Sequence, residues 1–189
     1  TQWVAESHFS SEVQKSNPGA VIPNYHGEVG LNSDSVQLAQ ILFSKTKTIG
    51  FGTAIMNILG GNGGPIASAN RIRSLAFQNS ISNNPRKLDI GVAAGRFPYI
   101  NSPFGIRPRN KEEEILWPQY KNLIFVEALE IFLRLSNDEI LSSDDIARRR
   151  INQGMFKDEE SWAKVVSELG SVSDDGWEYS PRYEFDKLK

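Results

Sequence analysis

KTKTIGFGTAIMNILGGNGGP, residues 45–65, is a β-branched and apolar run that passes into a glycine-rich turn and then a proline. Threonine, isoleucine and phenylalanine set between glycines over residues 45–56 favour a packed strand. Pro65 suits the first turn of a helix, where its missing N–H leaves no bond unmade. Residues 66–77 then carry apolar side chains at helical spacing. The stretch predicts a strand, a turn and a crossover helix.

The same order recurs on both sides of it. Residues 2–5 read as a short buried strand ending at Glu6, followed by a long polar stretch over residues 10–32. A helix capped by Ser33 or Asn32 follows, with Val36, Ala39 (or Gln40) and Phe43 on one face. Downstream, KLDIGVA (residues 87–93) reads as a further strand, and GRFPYINSPFGIRPRN (residues 95–110) as a second long loop. The longest helix comes next, with Trp117, Tyr120, Ile124, Ala128, Ile131 and Leu135 at steps of three and four. Beyond Ser136 the chain turns polar, with a short helix over residues 159–169 and a strand or extended arm at WEYSPRYEF, residues 177–185.

Strand and helix alternating three times argue for a parallel sheet with crossover helices. In such folds the loops after the carboxyl ends of strands build the site, while the opposite loops stabilise. Here the loops after strands are the long, chemically varied ones, so one face of the sheet is expected to carry function.

The 189 residues suit a single domain with a sizeable core, and a charge of −2 gives no overall pull towards nucleic acid or anionic membrane. Without cysteine the chain has no disulfide, thiolate metal site or cysteine nucleophile. Neither His8 nor His26 has the spacing of a metal site, so no metal is expected. No apolar stretch approaches the ~20 residues of a membrane span, and a cytoplasmic location is expected.

Three segments carry the candidate chemistry. WVAESHF, residues 3–9, presents Glu6, Ser7 and His8 at a strand end. It reads as a catalytic edge, a hydrogen-bonded core histidine or an ordinary loop start. GTAIMN, residues 52–57, places small residues at a strand end; these suit either a flat ring lying on the backbone or tight packing against a helix. In GVAAGRFPY, residues 91–99, a bare strand tip precedes Arg96, which suits a phosphate or carboxylate tail, or a surface ion pair. The cluster Gly60, Gly61, Gly63 and Gly64 has neither a P-loop ending nor G-x-G-x-x-G, and a turn is its simpler reading.

Taken in order, WVAESHF, TIGFGTAI and LDIGVAAGR resemble the bacterial luciferase-like family of flavin-dependent monooxygenases, over about residues 1–135; residues 136–189 are less diagnostic. The resemblance implies a (β/α)8 barrel of the luciferase-like type, with only its N-terminal half in this single-domain chain. It implies reduced FMN, or F420 in one branch, and O2 acting on a small aldehyde-like substrate, with a flavin reductase as the source of reduced FMN. In some members the peptide corresponding to Ala54–Ile55 is cis. Ser7 matches the family's strand-end histidine, and Ala94 its phosphate-contacting arginine.

On that template His8 transfers protons, with Glu6 and Ser7 beside it. Ala54, Ile55, Met56 and Asn57 line the flavin, and Gly95 with Arg96 holds the phosphate. Residues 10–32 and 97–110 would shape the substrate pocket. A non-catalytic flavin-binding or structural relative is the alternative that Ser7 and Ala94 suggest, and an unrelated α/β binding domain is a third. The length falls short of the ~250 residues of a full barrel. Thr1 in place of an initial methionine suggests an internal start. A longer parent, a natural truncation, or a half paired as a dimer or with a complementary chain is therefore expected.

Overall fold

Three parallel strands lie side by side in the order in which the chain makes them. A computed structural model describes residues 1–4, 34–95, 98–170 and 176–189. Strand β1 (Gln2–Val4) pairs with β2 (Phe51–Asn57), and β2 pairs with β3 (Leu88–Ala93). The crossovers carry helices α1 (Ser35–Lys45) and α2 (Gly64–Ser80). Asp34 caps α1, its carboxylate accepting from Val36 N at 2.9 Å and Gln37 N at 3.1 Å; the expected capping pair, Asn32 and Ser33, lies outside the described residues. Strand β2 starts at Phe51 rather than at residue 45, because α1 takes Lys45 and residues 46–50 form the connection, and it ends at Asn57. The expected loop over residues 95–110 is partly helical, with α3 (Pro98–Asn101) and a single 3-10 turn (Ser102–Phe104). Helix α4 (Lys111–Ile115) then leads into α5 (Trp117–Ser136).

The core joins β2 to α2 and α5. Phe51, Met56, Ile58 and Leu59 meet Ala69, Ile72 and Leu75, and the expected stripe Tyr120, Ile124, Ala128, Ile131 and Leu135 is buried on α5. Each such aliphatic or aromatic side chain stabilises the fold by roughly 1.5–3 kcal/mol relative to exposure.

At the N-terminal end of the sheet, Arg86 ties the helix-to-strand connections together. Its guanidinium donates to Thr46 O at 2.6 Å and Phe43 O at 3.3 Å and lies over the Phe43 ring. The Asn79 carboxamide brackets the Arg86 backbone from both sides, at 2.7 and 2.8 Å. These connections are short, as expected, and this one arginine fixes them.

The barrel expectation is overturned. Among the described residues the parallel sheet has three strands, open at both edges, with Trp3 on β1 exposed and β3 only half-buried along its length. After α5 no fourth parallel strand follows among the described residues. Asn137, Asp138 and Glu139 are too polar for a strand buried on two faces, and Asp138 adopts a left-handed turn at φ 62°. The chain instead forms β4 (Arg150–Ile151), α6 (Glu159–Leu169) and β5 (Trp177–Glu178), with β4 and β5 pairing antiparallel in a separate ribbon. The protein is a small mixed α/β fold. Among the described residues no helix is long and apolar enough to cross a membrane.

Covering α5 falls to the segment after β5. Glu127, in the middle of the buried helix face, accepts from Tyr179 Oη at 2.5 Å and from the backbone N–H groups of Arg182 and Tyr183, the latter at 3.2 Å. The Arg182 guanidinium pairs with buried Glu113 and lies over the Tyr120 ring. Glu113 in turn accepts from Arg109 N at 2.6 Å. A bridge between Leu141 and Leu188 completes the strap.

Glu127→Ala leaves a tyrosine and two backbone donors unpaired in the interior, and should cost about 3–5 kcal/mol of unfolding free energy, with Glu127→Gln losing less. Equilibrium denaturation in urea checks both. A second outcome concerns alkali. Burial, reinforced by Glu127, pushes the Tyr179 hydroxyl far above its ordinary value of 10.0. The folded state therefore keeps a proton that the unfolded chain releases above about pH 10, and stability should fall as pH rises beyond that point. The slope should be roughly 1.4 kcal/mol per pH unit from this residue, and Tyr179→Phe should remove that component of the pH-dependent loss.

Candidate functional site

The carboxyl end of β2 departs from a regular ladder. Thr53 pairs with Ile90 and Met56 with Val92, so Ala54 and Ile55 together stand opposite the single residue Gly91. This is a bulge, the device by which strands re-aim side chains near sites. The peptide between Ala54 and Ile55 is cis. Phe51, Gly52 and Thr53 are buried, as are Met56 and Asn57, yet Ala54 and Ile55 face outward, Ile55 with 52% of its surface exposed. An exposed isoleucine in the central strand of a parallel sheet is unusual, because such strands are normally covered on both faces.

Thr53 makes the bulge possible. Its hydroxyl donates to Gly91 O at 2.7 Å and accepts from Gly91 N at 2.9 Å, so a side chain satisfies both backbone groups of the residue that the bulge bypasses. Gly91 has no room for anything larger. A Cβ there would lie 2.6 Å from Thr53 O and 3.0 Å from Ile55 Cγ2. Ala54, Ile55 and the bare backbone of Gly91 thus make a low apolar shelf. Trp3 lies against Gly52 further down the sheet, its ring filling the space that a side chain would need.

Beyond the shelf, two asparagines bind the strand tips together. Asn57 Nδ2 donates to Asn101 Oδ1 at 2.9 Å, while its own Oδ1 accepts from Leu59 N at 3.0 Å. Asn101 Nδ2 donates to Ala94 O at 2.8 Å. Gly95 sits against this knot at φ 70°, where a Cβ would come within 2.7 Å of Asn57 Nδ2. The strand tip is bare because the asparagines occupy the space.

Of the residues singled out in the sequence, Ala54 and Ile55 stand together on the shelf, whereas Met56 is fully buried in the core and Asn57 and Gly95 belong to the knot. Glu6, Ser7, His8 and Arg96 lie outside the described residues, as does the segment over residues 10–32. The glycine cluster is a turn packed on protein. Gly63 N donates to Gly60 O at 2.8 Å, Phe104 lies on Gly60, and Tyr183 Oη donates to Leu59 O at 2.9 Å. Thr53 and Asn101 escaped the sequence reading. A threonine buried in a strand core was the only available sign of the first, and nothing local marked the second.

Chemically, the shelf can hold a flat apolar surface but contributes no acid or base of its own. Among the described residues no group of three histidine, cysteine, aspartate or glutamate side chains is placed to hold a metal ion. Comparison of the chain with protein families, with curated proteins and with solved structures found no match.

Thr53→Val keeps the shape of the strand but leaves Gly91 N and O without the hydroxyl. The expected loss is about 2–4 kcal/mol, from two buried backbone groups at once. Urea denaturation gives the loss, and hydrogen exchange should show it concentrated at Gly91 and its neighbours rather than spread along α5.

Proposed function

We propose that the shelf seats the ring of a reduced flavin, and that the chain is a flavin-dependent monooxygenase acting with O2 on a small, aldehyde-like organic molecule. The exposed pair Ala54–Ile55, set beside a glycine that cannot be enlarged, carries this reading. It offers a flat apolar area at the strand end where parallel sheets gather their ligands. The order of WVAESHF, TIGFGTAI and LDIGVAAGR supports it, as does the parallel pairing of β1, β2 and β3, which brings the carboxyl ends of these strands, Val4, Asn57 and Ala93, to the same end of the sheet.

FMN is the cofactor of first choice and F420 the alternative. The shelf residues fit such a ring by shape and polarity. When bound, the flavin would supply the electrons and the site of oxygen activation. The chain's part is to hold the ring on Ala54 and Ile55 and to move a proton through His8, with Glu6 and Ser7 beside it. Gly95 and Arg96 would take the phosphate, and Arg96 would stand in for the arginine that Ala94 replaces. A flavin reductase would deliver the reduced cofactor, and dimerisation or a complementary chain would complete the pocket, in the cytoplasm.

A second reading, a non-catalytic flavin-binding or structural relative, is favoured by Ser7, since a hydroxyl cannot exchange protons near neutrality as an imidazole does.

FMN added to the purified protein should bind, with its absorption bands shifted and its fluorescence changed. Ile55→Asp should weaken that binding at least about tenfold, the equivalent of losing the contact area of one aliphatic side chain. With reduced FMN and a straight-chain aldehyde the protein should consume O2, and His8→Ala should lose turnover while keeping flavin affinity. Binding without turnover would favour the second reading. Failure to bind either FMN or F420 would overturn both.

A further inference from the structure

A cleft of about 760 Å³ opens between residues 104–109 and the strap. Phe104, Pro108 and Tyr183 line it together with Arg107, Arg109 and Arg182. None of the lining residues is acidic. Arg107 and Arg109 are exposed on this wall and give it a positive field that draws an anion.

Among the described residues no carboxylate compensates Arg107 or Arg109, whereas Glu113 compensates Arg182. Arg109 donates to Ser180 Oγ at 3.3 Å and Pro181 O at 3.1 Å, both neutral acceptors. The Arg182 side chain is only 1% exposed, and its Nε and Nη1 have no hydrogen-bond partner. Arg182 thus belongs to a buried ion pair behind the wall, and the charge within reach of an anion belongs to the exposed Arg107 and Arg109.

We propose that this cleft binds the phosphate end of a small organic molecule. Guanidinium groups present planar forks that match phosphate oxygens two at a time, which a lone ammonium cannot do. Phe104, half-exposed beside Arg107, and Pro108 supply an apolar flank for the organic part. The site opens on the glycine turn that follows β2, since Phe104 packs on Gly60 and Tyr183 bonds Leu59. The phosphate belongs either to a separate phosphorylated ligand or to a flavin whose phosphate lies here instead of at Gly95 and Arg96; the cleft itself does not depend on the flavin reading.

Isothermal calorimetry with inorganic pyrophosphate tests the site directly. The wild-type protein should bind it with an affinity that falls as salt is raised. Arg107→Gln, an exposed position without a structural partner among the described residues, should weaken binding at least about tenfold. Arg73→Gln, on α2, should leave binding unchanged. Titration with FMN and with riboflavin then separates the sources. Displacement of pyrophosphate by FMN alone marks the flavin's own phosphate, and displacement by neither marks a second ligand; either supports the cleft as a phosphate site. Absence of binding, or equal weakening by Arg107→Gln and Arg73→Gln, would overturn it. Because pyrophosphate has no ring to stack, binding that survives Ile55→Asp would uphold the cleft even if the shelf proved not to hold flavin.

Discussion

A single carboxylate inside an apolar helix face governs how this protein closes. Helix α5 would otherwise present Tyr120, Ile124, Ala128 and Ile131 around an uncompensated charge, an arrangement that water would invade. Glu127 avoids this by collecting three donors from one short segment: the Tyr179 hydroxyl and the backbone N–H groups of Arg182 and Tyr183. The bonds are directional, so they fix the path of the strap as well as satisfying the charge. Arg182 is thereby delivered to Glu113, and Tyr183 to the carbonyl of Leu59. One buried group thus connects the helix, the strap and the turn at the end of β2.

The same constraint accounts for the layer over α5. A parallel sheet with an apolar helix against it needs a further layer over that helix, and a barrel supplies it by adding more strand–helix units. Here the covering layer is an irregular strap whose polar groups are matched to Glu127 and Glu113. Among the described residues β3 is the edge of the parallel sheet, and Ala54 and Ile55 are exposed at the bulge.

How much of this was legible in the sequence varies with the range of the interaction. Pro65, the apolar repeat from Trp117 to Leu135 and the β-branched runs are local signals, and the helices and strands they indicate are present. The number of strands was not local. Motif order alone suggested a barrel, while the polar run Asn137–Glu139 and the pairing of β4 with β5 end the parallel pattern. Ala54 and Ile55 were recognisable as small and apolar, but their outward turn depends on Thr53 bonding Gly91, residues 38 positions apart. Arg182 gave no sign at all, because its partners are 69 and 62 residues away.

The strap also sets an order of events on the ribosome. Glu127 and its tyrosine partner are separated by 52 residues of chain. While a growing chain passes through that interval, the sheet and α5 can collapse together, but the carboxylate has nothing to accept from and the helix face stays uncovered. Chains interrupted before Tyr179 would carry that exposed seam indefinitely, as a surface for chaperones or for one another. The covering of the α5 face is therefore tied to the progress of the protein's own synthesis.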